Sequence, residues 1–279
     1  MKKASLFILV SSLFFISCSS DDEVVQTPIP TEGNDIPTVY QPIKIANYWN
    51  YDTENIPVEP TGTTVTGQDE VVVDSDVVLN TFTYKKMKTV ASPTGFYCNM
   101  LNNNNLRIDG SSLKLTGTIT ANLDASLPLE FNVNDFVIFK ENGVANEVLS
   151  QTSPASFEDT SILPNNAKLS FLYSLKSTYL GSVEPMNVKG ITYNDVKKIR
   201  IEVNLKVNIG DFLTGITALQ PQNVIISDLY YSKNIGVIQS NTVVKYTLEP
   251  SLAPLLASSG IPQQGEQQIN DYITSYLIN

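Results

Sequence analysis

Histidine is absent from the 279 residues, and cysteine occurs only twice. Histidine is the side chain whose charge changes near neutral pH, and it is the commonest metal ligand. Its absence excludes Ser-His-Asp and Cys-His catalysis and zinc sites built on imidazole. Cationic residues are also few, with 18 Lys and Arg against 28 Asp and Glu. Because binding to nucleic acid needs a cationic surface that displaces counterions from phosphates, we expect no nucleic-acid partner.

Motifs that carry known chemistry are missing as well. The sequence contains no nucleophile elbow, phosphate-binding loop, dinucleotide-binding fingerprint or Cys-x-x-Cys pair. Cys98 lies between Phe96 and Met100 in an alternating pattern that places all three on one strand face, which predicts a small buried side chain. We therefore expect no catalytic residue, no metal site and no cofactor, and a protein that is not an enzyme.

The one long hydrophobic run is at the N-terminus. Lys2 and Lys3 precede apolar stretches at 6–10 and 13–16, which together are shorter than the roughly 20 residues that a transmembrane helix needs. This pattern predicts a secretory signal peptide over residues 1–17.

The end of that run, Phe15-Ile16-Ser17-Cys18, resembles the signal of bacterial lipoproteins. In that family a small residue precedes a cysteine that receives acyl chains, such as palmitate, and becomes the first residue after cleavage. The resemblance implies lipidation of Cys18, and several acyl chains suffice for a stable membrane anchor. The alternative is an ordinary signal peptide that leaves a free thiol at Cys18.

An acidic, proline-containing segment follows the cysteine. Ser19-Ser20-Asp21-Asp22-Glu23 is similar to the export signal of Bacteroidota lipoproteins, which implies the outer membrane and its outer face; a solvated linker is the alternative. Residues 18–44 as a whole have too few apolar residues to offset the entropy cost of ordering, so they are predicted to be a flexible tether.

The rest of the chain, residues 45–279, has the two-residue period of β-strands. The longest example is 196–209, where six apolar residues alternate with six polar ones. Further strands are predicted at 48–54, 63–73, 82–89, 113–121, 127–140, 168–180, 224–232 and 237–248. Turn residues separate them, and helical periods are scarce. The prediction is an all-β domain, either a large antiparallel β-sandwich or a curved sheet resembling half a barrel.

Three local features complete this prediction. Ile269, Tyr272, Ile273 and Tyr276 have helical spacing and predict one C-terminal helix over 266–277. Residues 82–88 and 191–197 share an apolar-Thr-Tyr-x-x-apolar-Lys pattern, which raises the possibility of a duplicated β unit. The run of asparagines at 102–105 predicts a loop.

The C-terminal half is also similar to an uncharacterised β-rich family of Bacteroidota lipoproteins. The similarity consists of the Thr-Tyr-x-x-Val strand from Thr192, an aromatic strand with Tyr230 and Tyr231, and the turn at 233–236. Tyr48-Trp49-Asn50-Tyr51 likewise resembles the start of those domains. The family implies no catalytic residue.

Three functions remain open at this point. The leading one is a lipid-anchored envelope domain that binds a ligand or a partner protein. The second is a carrier that holds a lipid or another apolar ligand in its curved sheet. The third is glycan binding or carboxylate-dependent glycan cleavage, with aromatic contacts from Tyr48, Trp49, Tyr51, Tyr230 and Tyr231 and with acids drawn from Glu130, Asp135, Glu141 and Glu147.

Overall fold

The computed structural model describes residues 40–57, 62–124, 127–163, 166–252, 254–255 and 260–279, and for residues 124, 127 and 128 it describes the backbone alone. The signal peptide, Cys18 and most of the predicted tether lie outside these residues. The last part of the predicted tether is packed on the domain, where Tyr40 and Gln41 are buried. The ring of Tyr40 lies 4.9 Å from that of Phe139, so the folded part of the chain includes residue 40.

The described residues include one six-residue α-helix, α1, a short 3-10 helix at Pro250–Leu252, and 15 strands. Helix α1 is Phe96–Leu101. The strands are β1 (Tyr48–Pro57), β2 (Val65–Leu79), β3 (Phe82–Thr89), β4 (Asn105–Asp109), β5 (Ser112–Asp124), β6 (Leu127–Lys140), β7 (Glu147–Gln151), β8 (Ala155–Asp159), β9 (Leu169–Val183), β10 (Met186–Val188), β11 (Ile191–Tyr193), β12 (Val196–Ile209), β13 (Ile216–Ser232), β14 (Gly236–Thr247) and β15 (Gln264–Leu277).

Thirteen of these strands make one antiparallel sheet, in the order β6-β5-β4-β3-β2-β1-β15-β14-β13-β12-β9-β7, with β8 also paired to β9. Most neighbours in the sheet are also neighbours in the chain, as expected for hairpin connections. The exception at the centre is β1, which pairs with β15 and so joins the two ends of the domain. Strands β10 and β11 form a separate hairpin.

The sheet curls until β6 approaches β9, and side chains connect the two strands where backbone pairing is missing. The hydroxyl of Ser177 donates to the carbonyl of Val137 at 2.5 Å, and the backbone N–H of Asn132 donates to the hydroxyl of Tyr173 at 3.2 Å. From β13, the hydroxyl of Tyr231 reaches the carbonyl of Ile138. The predicted all-β class and curved sheet are therefore confirmed.

A single hydrophobic core fills the concave side of this sheet. Along β12 the apolar residues from Val196 to Val207 are buried while the polar residues between them are half-buried, as the sequence pattern predicts. The pattern ends at Asn208, which is buried, and Ile209, which is half-buried. Helix α1 packs inside the curve, with Phe96, Tyr97, Cys98, Met100 and Leu101 all buried. This helix occupies space that a simple half-barrel would leave open.

The predicted C-terminal helix is wrong, because residues 264–277 form β15 between β1 and β14. Ile269 and Ile273 are four residues apart, a spacing that suits one face of a helix and also one face of a strand. The residue that separates the two cases is Asp271, which is buried with them on the inner face. The β-branched and aromatic residues of this segment favour a strand, and hydrogen bonding to two neighbours stabilises it.

Other local predictions also changed. Phe96, Cys98 and Met100 are buried together as expected, but on α1 and not on a strand. Residues 102–104 form the expected turn, with Asn103 in the left-handed region, and β4 begins at Asn105. Of the two similar segments, 82–88 lies within β3, whereas 191–197 covers β11 and the start of β12.

Candidate functional site

A groove of about 540 Å³ opens at one end of the curved sheet. The ends of β1 and β5 and the start of β15 form its walls, and the residues at the start of α1 form its floor. A volume of this size lies in the range of small-molecule sites.

Amide side chains dominate the polar part of this groove. The amides come from Asn55, Asn99, Asn122, Gln264 and Gln267. The described lining residues include one carboxylate, that of Glu266, and neither Lys nor Arg. An amide offers both hydrogen-bond donors and acceptors, so such a lining suits an uncharged ligand that has both.

Two of these amides are already held in place. The Nδ2 of Asn99 donates to the carbonyl of Thr120 at 3.0 Å, and the hydroxyl of Thr120 donates to Oδ1 of Asn99 at 2.9 Å. The Nε2 of Gln267 reaches the carbonyl of Asn122 at 3.4 Å, which connects β15 to β5 across the groove. Asn99 and Gln267 therefore have fixed positions before any ligand binds.

Two buried carboxylates, one on β2 and one on β15, hold the floor of the groove. Gly95 is the N-cap of α1, and no side chain of the cap itself accepts a hydrogen bond from the helix. Instead, Asp69 from β2 accepts the backbone N–H groups of Thr94 at 2.9 Å and of Gly95 at 2.7 Å. Asp271 from β15 accepts the N–H of Tyr97 at 3.3 Å. These contacts satisfy donors that a helix start leaves free.

Asp271 has an unusual environment. It is fully buried, and its Oδ2 accepts the hydroxyl of Ser240 as well as the N–H of Tyr97, whereas its Oδ1 has no hydrogen-bond partner among the described residues. Oδ1 lies so close to Gly95 that a Cβ at that position would collide with it. Burial, together with the negative charge of Asp69, raises the pKa of Asp271 to about 7.

Cys98 completes this cluster. Asp69, Cys98 and Asp271 each place one potential ligand atom within 4.8 Å of the others. In the described part of the chain, this is the group of side chains that could surround a cation. Asp69 already accepts two backbone N–H groups and the hydroxyl of Thr94, which leaves its oxygens little capacity for a metal. Burial raises the pKa of the Cys98 thiol, which makes it a poor nucleophile.

Three of the five aromatic contact candidates belong to the core. Trp49, Tyr51 and Tyr231 are each no more than 1% exposed. The indole N–H of Trp49 donates to the carbonyl of Ile235 at 2.5 Å, and the hydroxyl of Tyr51 donates to that of Val237 at 2.7 Å. These rings stabilise the sheet and offer no face to solvent.

Tyr48 and Tyr230 are half-buried, and neither lines the groove. They lie on strands β1 and β13, which β15 and β14 separate. The Nζ of Lys198 lies 5.1 Å from the ring centre of Tyr230. The structure therefore does not bring these two half-buried candidates together.

Two of the four candidate acids form structural ion pairs. Arg107 donates to both carboxylate oxygens of Asp135, at 2.8 and 2.6 Å, and this guanidinium lowers the pKa of Asp135 to about 2. Glu147 pairs with Lys140 at 2.5 Å. None of the four acids is among the described lining residues of the groove, so they do not flank a cleft there.

Comparison with known proteins adds little to this geometry. No protein-family model and no curated protein matches the chain. One solved structure, that of DynF from the dynemicin biosynthesis pathway of Micromonospora chersina, aligns over 91% of this chain and 94% of its own at 13% identity. The TM-score of 0.21 is too low to indicate a shared fold. Among the described residues, no helix has the length and apolar character needed to cross a membrane.

Sequence reasoning missed the groove and the cluster beneath it. The groove residues are widely separated in the chain and have no common motif. Asp271 did carry a signal, since it is a lone carboxylate between Ile269 and Ile273 in a segment rich in apolar residues. An alternating pattern would have placed it on the buried face.

Proposed function

We propose that this protein is a lipid-anchored, non-enzymatic domain of the bacterial cell envelope that binds an uncharged, hydrogen-bonding ligand. The signal-like segment ending at Cys18 supports the anchor and the outer membrane as the site of attachment. The groove of about 540 Å³ at the open end of the sheet is the observation that carries the binding function.

The lining of the groove supports a polar ligand over a lipid. Its described polar residues are mostly amides, and the concave side of the sheet is filled by the core and α1. An apolar pocket beside Leu169 and Phe171 has a volume of only about 20 Å³, too small for an acyl chain. The amide lining favours a neutral ligand such as an oligosaccharide over an apolar cargo.

Chemistry at the groove has little support. Glu266 is the carboxylate on its described surface, whereas hydrolysis of a glycosidic bond uses two carboxylates on opposite sides of the bond. Asp69 and Asp271 lie beneath the floor, buried and engaged with the start of α1. These positions support binding without turnover.

Native mass spectrometry tests the binding function. We expect the full chain, extracted from its own membranes in mild detergent, to retain an added mass that is lost when Asn122→Trp fills the groove. Asn142→Trp, at an exposed turn outside the groove, is the matched control and should retain the mass. Retention of the same mass by both variants would place the ligand elsewhere, and a retained fatty acid or phospholipid would favour a carrier.

A further inference from the structure

The strongest feature that the proposed function leaves unused is the pair of buried carboxylates beneath the groove. Asp69 is 6% exposed and Asp271 is 0% exposed. In the part of the chain that the structure describes, neither carboxylate forms an ion pair with a lysine or an arginine. Two negative charges this close in a buried site repel each other strongly, so one carboxylate must be neutralised.

The groups that face Asp271 offer no positive charge. They are Asp69 from β2, Tyr97 and Cys98 from α1, Tyr51 from β1, and the neutral hydroxyl of Ser240 from β14. Burial raises the pKa of the Tyr51 and Tyr97 hydroxyls and of the Cys98 thiol, so these three groups stay neutral. Neutralisation therefore requires either a proton or a bound cation.

The hydrogen bonds distinguish the two carboxylates. Asp69 accepts three donors and is suited to carry the negative charge. Asp271 accepts the Ser240 hydroxyl and the Tyr97 N–H on Oδ2 and otherwise faces only the weakly donating Cys98 thiol, so an ionised Asp271 would be costly at full burial. A protonated Oδ1 becomes a donor, and Asp69 supplies the neighbouring carboxylate, with one of its oxygens within 4.8 Å of an oxygen of Asp271.

We propose that Asp69 and Asp271 share one proton, carried on Oδ1 of Asp271, and that this proton holds the first turn of α1 in the floor of the groove. The two carboxylates accept N–H groups from Gly95 and Tyr97, so they hold the first turn from two strands of the sheet, β2 and β15. Loss of the proton adds a second negative charge beneath Gly95 and Phe96, which line the groove. The groove floor is then looser at alkaline pH than at acidic pH, whichever ligand the groove takes.

Infrared spectroscopy of the full chain in detergent tests the shared proton directly. A protonated carboxylic acid has a carbonyl band that an ionised carboxylate lacks. We expect one such band to disappear with a midpoint near pH 7, the pKa of Asp271. The band should be missing in Asp271→Asn. It should be present in the control Asp74→Asn, which removes an exposed carboxylate from β2, the strand that also carries Asp69; Asp74 pairs with Lys88 of β3.

Hydrogen exchange tests the link to the floor of the groove. Between pH 6 and pH 8 the protonated fraction of a group with a pKa near 7 falls about tenfold, from roughly 0.9 to roughly 0.1, so exchange of amides 94–101 should rise roughly tenfold beyond the chemical effect of pH. This excess should vanish in Asp271→Asn.

A second variant covers the case in which Asp271→Asn does not fold. Ser240→Ala removes a hydroxyl that donates to Oδ2 and favours the charged form, so it should move the infrared midpoint to higher pH. A band missing from the wild type at pH 5, or an unchanged midpoint in Ser240→Ala, would overturn the proposal. So would a divalent cation bound to the wild type and lost in Asp271→Asn, because it would replace the proton.

Discussion

We expect a single buried side chain, Asp271, to couple the stability of this β-domain to pH. In the unfolded chain an aspartate titrates near pH 4, whereas burial raises the pKa of Asp271 in the folded protein to about 7. Between these values the folded protein keeps a proton that the unfolded chain has lost. The free energy of unfolding should therefore fall as pH rises from about 4 to about 7 and then level off.

Chemical denaturation at several pH values checks this dependence. The variant Asp271→Asn keeps the size of the side chain and cannot ionise. The wild type should lose stability between pH 5 and pH 8, and the variant should not. The difference in free energy of unfolding between variant and wild type should therefore shift in favour of the variant by more than about 1 kcal/mol over this range.

The comparison needs a carboxylate with the opposite shift. Asp135 has its pKa lowered to about 2 by Arg107, so it stays ionised across this range. Asp135→Asn should lower stability by a similar amount at pH 5 and pH 8. If the change in stability caused by Asp271→Asn were also the same at pH 5 and pH 8, Asp271 would not titrate near neutral pH.

At the scale of elements, residue patterns predicted the long strands and missed features that depend on distant contacts. Strands β3, β6 and β12 have the predicted bounds because their alternation continues from end to end. Short strands such as β10 and β11, three residues each, are too brief for a period to be recognised. Helix α1 was predicted as a strand, since its capping groups come from β2 and β15, far away in the chain.

The candidate site was predictable only in part for the same reason. Burial of Cys98 followed from its small size and apolar neighbours. The pairing of Asp69 with Asp271 depends on β1, β2 and β15 lying side by side, which joins residues about 200 positions apart. A local pattern cannot contain that information.

The position of β15 gives a test at the element scale. Lys245 and Glu266 are directly opposite on β14 and β15, and both are exposed. Cysteines at these two positions should form a disulfide, because opposed residues in antiparallel strands have a suitable Cα separation. A change in gel mobility on oxidation, reversed by a reducing agent, would report the disulfide.

The control pair combines cysteines at Lys245 and Asn270. In a strand Asn270 lies four residues further along, roughly 13 Å away, so this pair should not cross-link. In a helix positions 266 and 270 would be neighbours on one face, and both pairs would react alike. Equal cross-linking of the two pairs would therefore contradict the strand.

At the scale of the whole molecule, the sheet is curved and held together by its middle strands. Because β1 pairs with β15, the start and end of the domain are joined at the centre of the sheet. The packed residues Tyr40 and Gln41 mark where the chain meets the domain.

The two cysteines allow the anchor to be tested with matched variants. Cys18 is the proposed lipid-attachment site, whereas Cys98 is a free, buried thiol in α1. We expect Cys18→Ala to leave the membrane fraction, because the protein loses its acyl chains. Cys98→Ala should remain in the membrane fraction, although the lost side chain lowers stability by roughly 1–2 kcal/mol. Membrane retention of Cys18→Ala would contradict the lipid anchor.

The same cells can then show on which side of the outer membrane the anchored protein lies. A protease added to intact cells should remove the wild-type protein, because the export-like segment Ser19–Glu23 implies exposure on the outer face. A periplasmic protein should survive in the same sample and confirm that the membrane is intact. Survival of this protein in intact cells, with digestion only after the outer membrane is opened, would place the groove in the periplasm. Its ligand would then have to be a molecule of that compartment, since the groove could not reach anything outside the cell.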